Sequence, residues 1–409
     1  MMLWKMKTAG LRTVQAGLGL AMHVIPWRKP VVANYPGAVA AIPAALQADG
    51  ISRVLIVTDK GVLQAGLLQC LTGALAQAGV DYEIYCDVKA NPTIPNCLAG
   101  LKRFRRFRAE GVIAVGGGSA MDCSKMITAL TAVPDGSERD LGGLFQVTLR
   151  QRRKLPPLYC VPTTAGTGSE TTIVAVVTDP DTHAKYTVMD LPLMPRRIFL
   201  DADLTLTMPP RITANSGMDA LVHAVEAYLN RYMATPETRR QALSAVQLIF
   251  RYLPRAHANG KDMEARDHML TAAYLAGQAF GRATVGYAHS IAHAVGGEFN
   301  WPHGALTGML LPPLLEWYGE SAVPRLAELA EAVGIAEPGD SEAGKARAFI
   351  QEVYALRREL GLPEHLPQMT EAQRRLICHR AIREANPLYP VPRIMNEREC
   401  RAFVKMLEG

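Results

Sequence analysis

Residues 111–130, GVIAVGGGSAMDCSKMITAL, decide how the chain folds. GVIAVG at 111–116 is a short apolar, β-branched run of the kind that forms a buried strand, and Met121–Leu130 repeats apolar residues at helical spacing. Between them Gly116, Gly117, Gly118 and Ser119 make a turn. Glycines let a backbone approach a pyrophosphate closely, and the free N–H groups of the following helix favour an anion. The turn reads GGGSAMD and lacks the G-x-G-x-x-G fingerprint, so two readings stand: a dinucleotide cradle or a plain strand-to-helix turn. PTTAGTGSE at 162–170, whose hydroxyls and amides could surround phosphate and ribose, favours the cradle.

Three further runs, VLIVT at 54–58, YEIYC at 82–86 and LYCVPT at 158–163, alternate with Ala/Leu-rich segments of helical length. Such alternation predicts an α/β domain with a Rossmann-like parallel sheet, binding a dinucleotide over the carboxyl ends of its strands. From about Thr205 onward the chain reads as helices interrupted by Pro and Gly. With 409 residues exceeding one average core, the expected division is an N-terminal extension over 1–35, a dinucleotide-binding α/β domain over 36–205 and an all-helical metal-binding catalytic domain over 206–409.

The helical half carries its own constellation. In SGMDALVHAVEAY, Asp219 and His223 stand at i and i+4 and would project from one helix face. His289 and His303 lie fourteen apart in GYAHSIAHAVGGEFNWPHG, and with His293 they place three of only ten histidines within fifteen residues. A lone Asp-x-x-x-His pair is common by chance and a lone histidine is usually a satisfied core residue. The joint pattern reads as one metal site of Asp219, His223, His289 and His303 for Fe2+ or Zn2+, a Lewis acid for a substrate oxygen. His183, His257, His268, His365 and His379 lack partners in sequence and read as surface or core residues.

Composition narrows the classes. A net charge of +6 is too small to imply a nucleic-acid partner without a focused patch. The strongest basic run, KRFRRFR at 102–108, spaces Phe104 and Phe107 to face a core while its arginines stay wet, a solvated helix; RQRRK at 150–154 reads as an exposed loop. Seven scattered cysteines without a C-x-x-C pair suit reduced thiols in a cytoplasm. Residues 1–35 raise a signal peptide, but Arg12, Gln15 and His23 interrupt the apolar run, which is also too short and broken to span a bilayer. An extra helix, packed on the body or lying at an oligomer contact, is expected there. Asp59, after the strand VLIVT, either accepts hydrogen bonds from an adenosine ribose, favouring NAD over NADP, or caps the helix that follows.

The order of these motifs resembles the iron-containing (group III) alcohol dehydrogenase family. VLIVTDKGV at 54–62, NPTIPN at 91–96, AVGGGSAMDCSK at 114–125, PTTAGTGSE at 162–170, GMDALVHAVEAY at 217–228 and the histidine segment at 286–304 carry the resemblance, which covers nearly all of the chain from Pro36. It implies the dehydroquinate synthase-like fold of that family, metal ligands at Asp219, His223, His289 and His303, and cofactor contacts at Asn91, Gly118, Ser119, Thr163, Thr164 and Lys185. It places His293 near nicotinamide and substrate as a proton relay. All four ligand positions are filled, unlike the pattern of the related maleylacetate reductases; the extension over 1–35 departs from the family. The implied activity is metal-dependent hydride transfer between NAD, with NADP still open, and a primary or secondary alcohol, in a homodimer or higher homo-oligomer with no membrane or nucleic-acid partner. The alternatives are a reductase of a specialised carbonyl such as lactaldehyde, a semialdehyde or a sugar-derived ketone, and a dehydroquinate-synthase-like lyase that uses NAD only transiently. Net NADH release on adding an alcohol separates dehydrogenase from lyase.

Overall fold

The computed structural model describes residues 2–25, 27–181 and 185–409; His183 lies outside them, as do the side chains at 2, 3, 185 and 186. The residues group into two compact units, Trp27–Met208 with Gly260–Tyr274, and Met1–Pro26 with Pro209–Asn259 and Leu275–Gly409.

Among its described residues the first unit has nine strands: β1 (Val31–Asn34), β2 (Arg53–Val57), β3 (Asp81–Tyr85), β4 (Gly111–Gly116), β5 (Gly143–Leu144), β6 (Leu158–Pro162), β7 (Val174–Thr178), β8 (Lys185–Met189) and β9 (Arg197–Leu200). Six form a sheet in the order β1-β9-β6-β4-β2-β3, with every neighbouring pair parallel. The four strands expected from the sequence lie within a residue of their predicted bounds. Val54 to Val57 and all of β4 are buried, because helices cover both faces, which is why these runs are continuously apolar rather than alternating. Residues 31–34, inside the stretch 1–35 expected as an extension, form the edge strand, paired with β9. Four-residue runs such as VVAN and RIFL carry too little periodicity to announce themselves. The chain leaves β2 for β3 on one side and reaches β4 on the other, so the order reverses between β2 and β4. A crevice opens at the carboxyl ends of strands at such a switch.

A smaller sheet, β5-β8-β7, lies after the main sheet's Gly-rich turn in sequence, and the segment leading into it is pinned from below. The helix Gly118–Ala132 carries Lys125, fully buried, whose Nζ donates to Ser169 O at 2.6 Å, Thr172 Oγ1 at 2.9 Å and Val174 O at 2.7 Å. One turn earlier Asp122 accepts from Ser169 Oγ at 2.7 Å and Val176 N at 3.2 Å. A buried ammonium is tolerable only with its donors satisfied, and here the polar groups of 169–174 satisfy them. KRFRRFR ends the helix Ile94–Phe107. Phe104 and Phe107 are half-buried, while Arg103 and Arg106 pair with Glu83 and Arg105 with Asp135. This is the solvated face the spacing predicts.

The second unit is helical. The helix Met2–Val24 packs on it through Arg12, which donates to Val391 O at 2.8 Å and Pro392 O at 2.9 Å, and through Gln15, which donates to Tyr389 O at 3.0 Å. The helices Pro210–Leu229, Tyr287–Phe299, His303–Tyr318 and Glu371–Ala385 carry the chemistry described below. The helix Met263–Ala283 stops just before Thr284, whose φ is 63°. Among the described residues no helix is long and apolar enough to cross a membrane.

Glu170, beside the Lys125 anchor, is buried, and burial pushes its carboxyl up to about 7 against the pull of its own backbone N–H and of Lys125. The folded chain therefore keeps this proton to higher pH than the unfolded chain, whose value is 4.5. Its contribution is most favourable below that value and is lost as pH rises through about 7, on the order of 3 kcal/mol. Glu170→Gln should unfold at higher temperature than the parent in mildly alkaline solution, with the gain shrinking toward acid pH in thermal melts. A gain independent of pH would refute the assignment.

Candidate metal and dinucleotide sites

The helix Pro210–Leu229 opens on a proline in its first turn, where the missing N–H is not needed, and is buried almost throughout from Thr213. Asp219, His223 and Glu226 follow at i, i+4 and i+7, one stripe of that helix. The helix His303–Tyr318 approaches this stripe through its glycines: a Cβ on Gly304 would stand 2.1 Å from Asn215 O, and one on Gly308 3.0 Å from Met218 Cβ. That approach sets His303 Nε2 3.4 Å from Asp219 Oδ1 and lets Thr307 Oγ1 donate to the same oxygen at 3.0 Å. From the helix Tyr287–Phe299, His289 Nε2 reaches within 3.6 Å of Asp219 Oδ1.

The structure thus brings together Asp219, His289 and His303, with one donor atom from each lying within 4.8 Å of the others. His223, the fourth expected ligand, lies alongside. Its Nδ1 is 3.9 Å from Asp219 Oδ2 and its ring stacks on Phe280 at 4.0 Å and on His289 at 4.3 Å. Burial alone would raise the Asp219 carboxyl, but the surrounding imidazoles hold it well below the ordinary carboxylate range.

Glu226 organises the other edge. It is buried, and it accepts from Gly286 N at 2.7 Å, Ala288 N at 2.8 Å and His289 Nδ1 at 2.6 Å. Gly286 is obligatory at this contact, since a Cβ there would lie 2.6 Å from Glu226 Oε1. With Nδ1 committed to Glu226, His289 Nε2 is buried without a hydrogen-bond partner among the described residues and faces Asp219. Burial draws His289 down, but the Glu226 and Asp219 carboxylates outweigh it and push the imidazole up to about 9, so positive charge at this spot is strongly stabilised. Two atoms each about 2.1 Å from one ion at a tetrahedral angle stand roughly 3.4 Å apart. The donor set and its spacing fit a divalent cation.

His293 faces the same group. Its ring stacks on His303 at 5.1 Å and meets His289 edge-on at 6.1 Å. Its Nδ1 is 2.8 Å from Glu384 Oε1, which also accepts from Tyr389 OH at 2.9 Å. Burial raises the Glu384 carboxyl, but His293 and Tyr389 hold it below its ordinary value, so it is an anion.

In the α/β unit Asp59, Gly117, Gly118, Ser119, Thr163 and Thr164 follow the carboxyl ends of β2, β4 and β6. Gly116 ends β4 with φ 148°, and Gly117 precedes the helix Gly118–Ala132 in an extended conformation. A Cβ on Gly117 would touch Thr164 Oγ1 at 3.3 Å and one on Gly118 would press on Thr167 Cγ2 at 3.0 Å, so the turn and the 163–167 loop lie in contact. Thr163 N donates to Gly116 O at 3.0 Å and Asn91 N to Ser119 Oγ at 3.3 Å. Asp59 Oδ1 accepts from Val62 N at 3.0 Å, the capping role, while Oδ2 faces Gly116, 3.5 Å from where a Cβ would stand. Lys185 begins β8 opposite Thr178, whose N–H donates to Pro92 O at 2.8 Å beside Asn91.

Glu226, Thr307 and Glu384 were not singled out from the sequence. The first two left a trace: Glu226 shares a helical stripe with two expected ligands and Thr307 lies one turn after His303. Glu384 is 91 residues from His293 and left none.

Known proteins resemble this chain in sequence and in fold. The family model for iron-containing alcohol dehydrogenase matches residues 31–202, and the model for the C-terminal part of the Fe-containing alcohol dehydrogenase family matches residues 213–407. The chain is 34% identical over 374 residues to 1,3-propanediol dehydrogenase of Klebsiella pneumoniae, covering 90% of this chain and 95% of that protein. It superposes on a crystal structure of 1,3-propanediol oxidoreductase with a TM-score of 0.88 at 33% identity, over 94% of this chain and 100% of the other. A sulfoacetaldehyde reductase from Bifidobacterium kashiwanohense, in complex with NAD+, gives 0.84 at 28% identity over 94% and 98%.

Glu226→Gln keeps the shape of the side chain but not its charge, and should weaken divalent-metal binding by about tenfold to a hundredfold, measured by competition with a chromogenic chelator. Unchanged affinity would mean that His289 needs no carboxylate behind it.

Proposed function

The chain belongs to the iron-containing alcohol dehydrogenase family, and we propose that it interconverts a primary or secondary alcohol and its aldehyde or ketone by hydride transfer to or from NAD, with Fe2+ held by Asp219, His223, His289 and His303. The observation that carries the metal reading is the buried carboxylate–imidazole group in which His289 Nε2 has no hydrogen-bond partner among the described residues. In this reading residues 36–205 hold the dinucleotide and 206–409 the metal. NAD is supported by Asp59 beside the glycine turn, where its charge opposes a 2′-phosphate, and by the NAD+ complex of the sulfoacetaldehyde reductase. Seven free thiols agree with a cytoplasmic enzyme.

When bound, the ion would supply a Lewis acid that eases loss of the alcohol proton, and the nicotinamide the hydride-accepting carbon. The chain's own residues do the positioning. Asp219 is fixed by Thr307, and His289 is held by Glu226 so that Nε2 keeps its direction. The apolar interior around Met218, Leu221 and Val222 keeps water from the back of the site. His293 stands beside His303 with Nε2 available as a proton acceptor for the oxidised alcohol or a donor for the reduced carbonyl.

The test is NADH formation from a panel of short-chain alcohols and diols, using chelator-stripped protein with Fe2+ or Zn2+ restored. Activity should return with metal, and Asp219→Ala should lose on the order of a hundredfold or more. Should no metal restore turnover of any alcohol, or of the matching aldehydes with NADH, the dehydrogenase reading fails. Asp59→Ser keeps a capping oxygen but removes the charge, so kcat/KM should shift from NAD+ toward NADP+; an unaltered preference would reduce Asp59 to a helix cap.

A further inference from the structure

We propose that Glu384 is a positioning residue for His293: its carboxylate fixes the tautomer and orientation of that imidazole for proton transfer, and Tyr389 holds the carboxylate in place. The inference rests on the reading of His293 as the proton-relaying group.

A carboxylate can only accept, so at the 2.8 Å contact between Glu384 Oε1 and His293 Nδ1 the proton sits on Nδ1. Neutral His293 is then the tautomer whose Nε2 is bare and basic. A histidine free in water favours the opposite tautomer, with hydrogen on Nε2, which could not accept a proton there. Glu384 therefore selects the useful form and at the same time stops the ring turning about its last torsion. The same oxygen accepts from Tyr389 OH at 2.9 Å, so the carboxylate is clamped between two donors. Its backbone is equally fixed. Glu384 lies in the last turn of the helix Glu371–Ala385, and Tyr389 N donates back to Ala385 O at 2.7 Å. Tyr389 O in turn accepts from Gln15 of the N-terminal helix at 3.0 Å, and Arg12 grips the next carbonyls at Val391 and Pro392. The face of His293 is set by stacking on His303 with rings 16° apart. One edge of the imidazole is thus anchored, one face is covered, and the remaining nitrogen is left for chemistry.

The experiment uses the full chain loaded with zinc. Nitrogen-15 spectra of the histidine side chains, with the His293 signals identified by their loss in His293→Asn, should show hydrogen on Nδ1 in the parent and on Nε2 in Glu384→Ala. With an alcohol substrate, Glu384→Ala should lower kcat by roughly a hundredfold while leaving KM for alcohol and NAD+ within about twofold. In the His293→Asn background it should cause no further loss, because two residues acting as one unit are not additive. An unchanged tautomer, additive losses in the double variant, or a fall confined to KM would overturn the proposal. If the parent turns over no alcohol at all, the dehydrogenase reading fails, while the nitrogen spectra still decide whether Glu384 sets the tautomer.

Discussion

A carboxylate taken out of water costs several kcal/mol unless opposing charge and hydrogen-bond donors replace its hydration. The helix Pro210–Leu229 buries two of them seven residues apart, Asp219 and Glu226, at 2% and 5% exposure. Much of the helical unit answers that constraint. Glu226 is met by the start of the helix Tyr287–Phe299, through Gly286 N and Ala288 N, and by His289 Nδ1. Asp219 is met by Thr307 and by imidazoles from the same helix and two others. The two sets share His289, so each carboxylate helps to satisfy the other's environment. Removing either would leave partners of the other without theirs, which makes this stripe both structural and chemical.

Such compensation requires backbones closer than side chains normally allow, and glycine supplies the closeness at specific points. Gly304 lies against Asn215 O where no Cβ could fit, and Gly286 against Glu226 Oε1. The α/β unit solves a related problem with the opposite sign. Lys125 is an interior ammonium under the 169–174 segment, and carbonyl and hydroxyl oxygens of that segment are its partners. The turn at Gly117 and Gly118 packs on Thr164 and Thr167 for the same steric reason as Gly304. In both units a buried charge dictates where a loop must lie, and small residues permit it to lie there.

Much of this was readable in advance because it is local. The parallel sheet follows from apolar runs alternating with helical segments, and four of its strands were bounded to within a residue. The strands outside the predicted set, β1, β5, β7, β8 and β9, are short, half-polar or at an edge, and take their conformation from neighbours rather than from their own pattern. The spacing Asp219–His223 announced a common helix face, yet the structure turns the His223 ring into a stack with Phe280 and His289, a packing choice that no spacing encodes. Asp59 presented two readings and the structure realises the cap with one oxygen while turning the other toward Gly116.

By itself the sequence determined what is carried by residues a few positions apart: the α/β and helical halves, the glycine turn, the helical stripe of Asp219 and His223, and the clustering of His289, His293 and His303. Only the tertiary structure decided which of these meet, and at what distance. Glu226 and His289 are 63 residues apart, Asp219 and Thr307 are 88, and His293 and Glu384 are 91. Hydrogen bonds are short and directional, so a carboxylate selects one particular nitrogen only after helix packing has brought the two within 3 Å or so. Periodicity sets the face a residue occupies, but the partner across that face is set by how the whole chain packs.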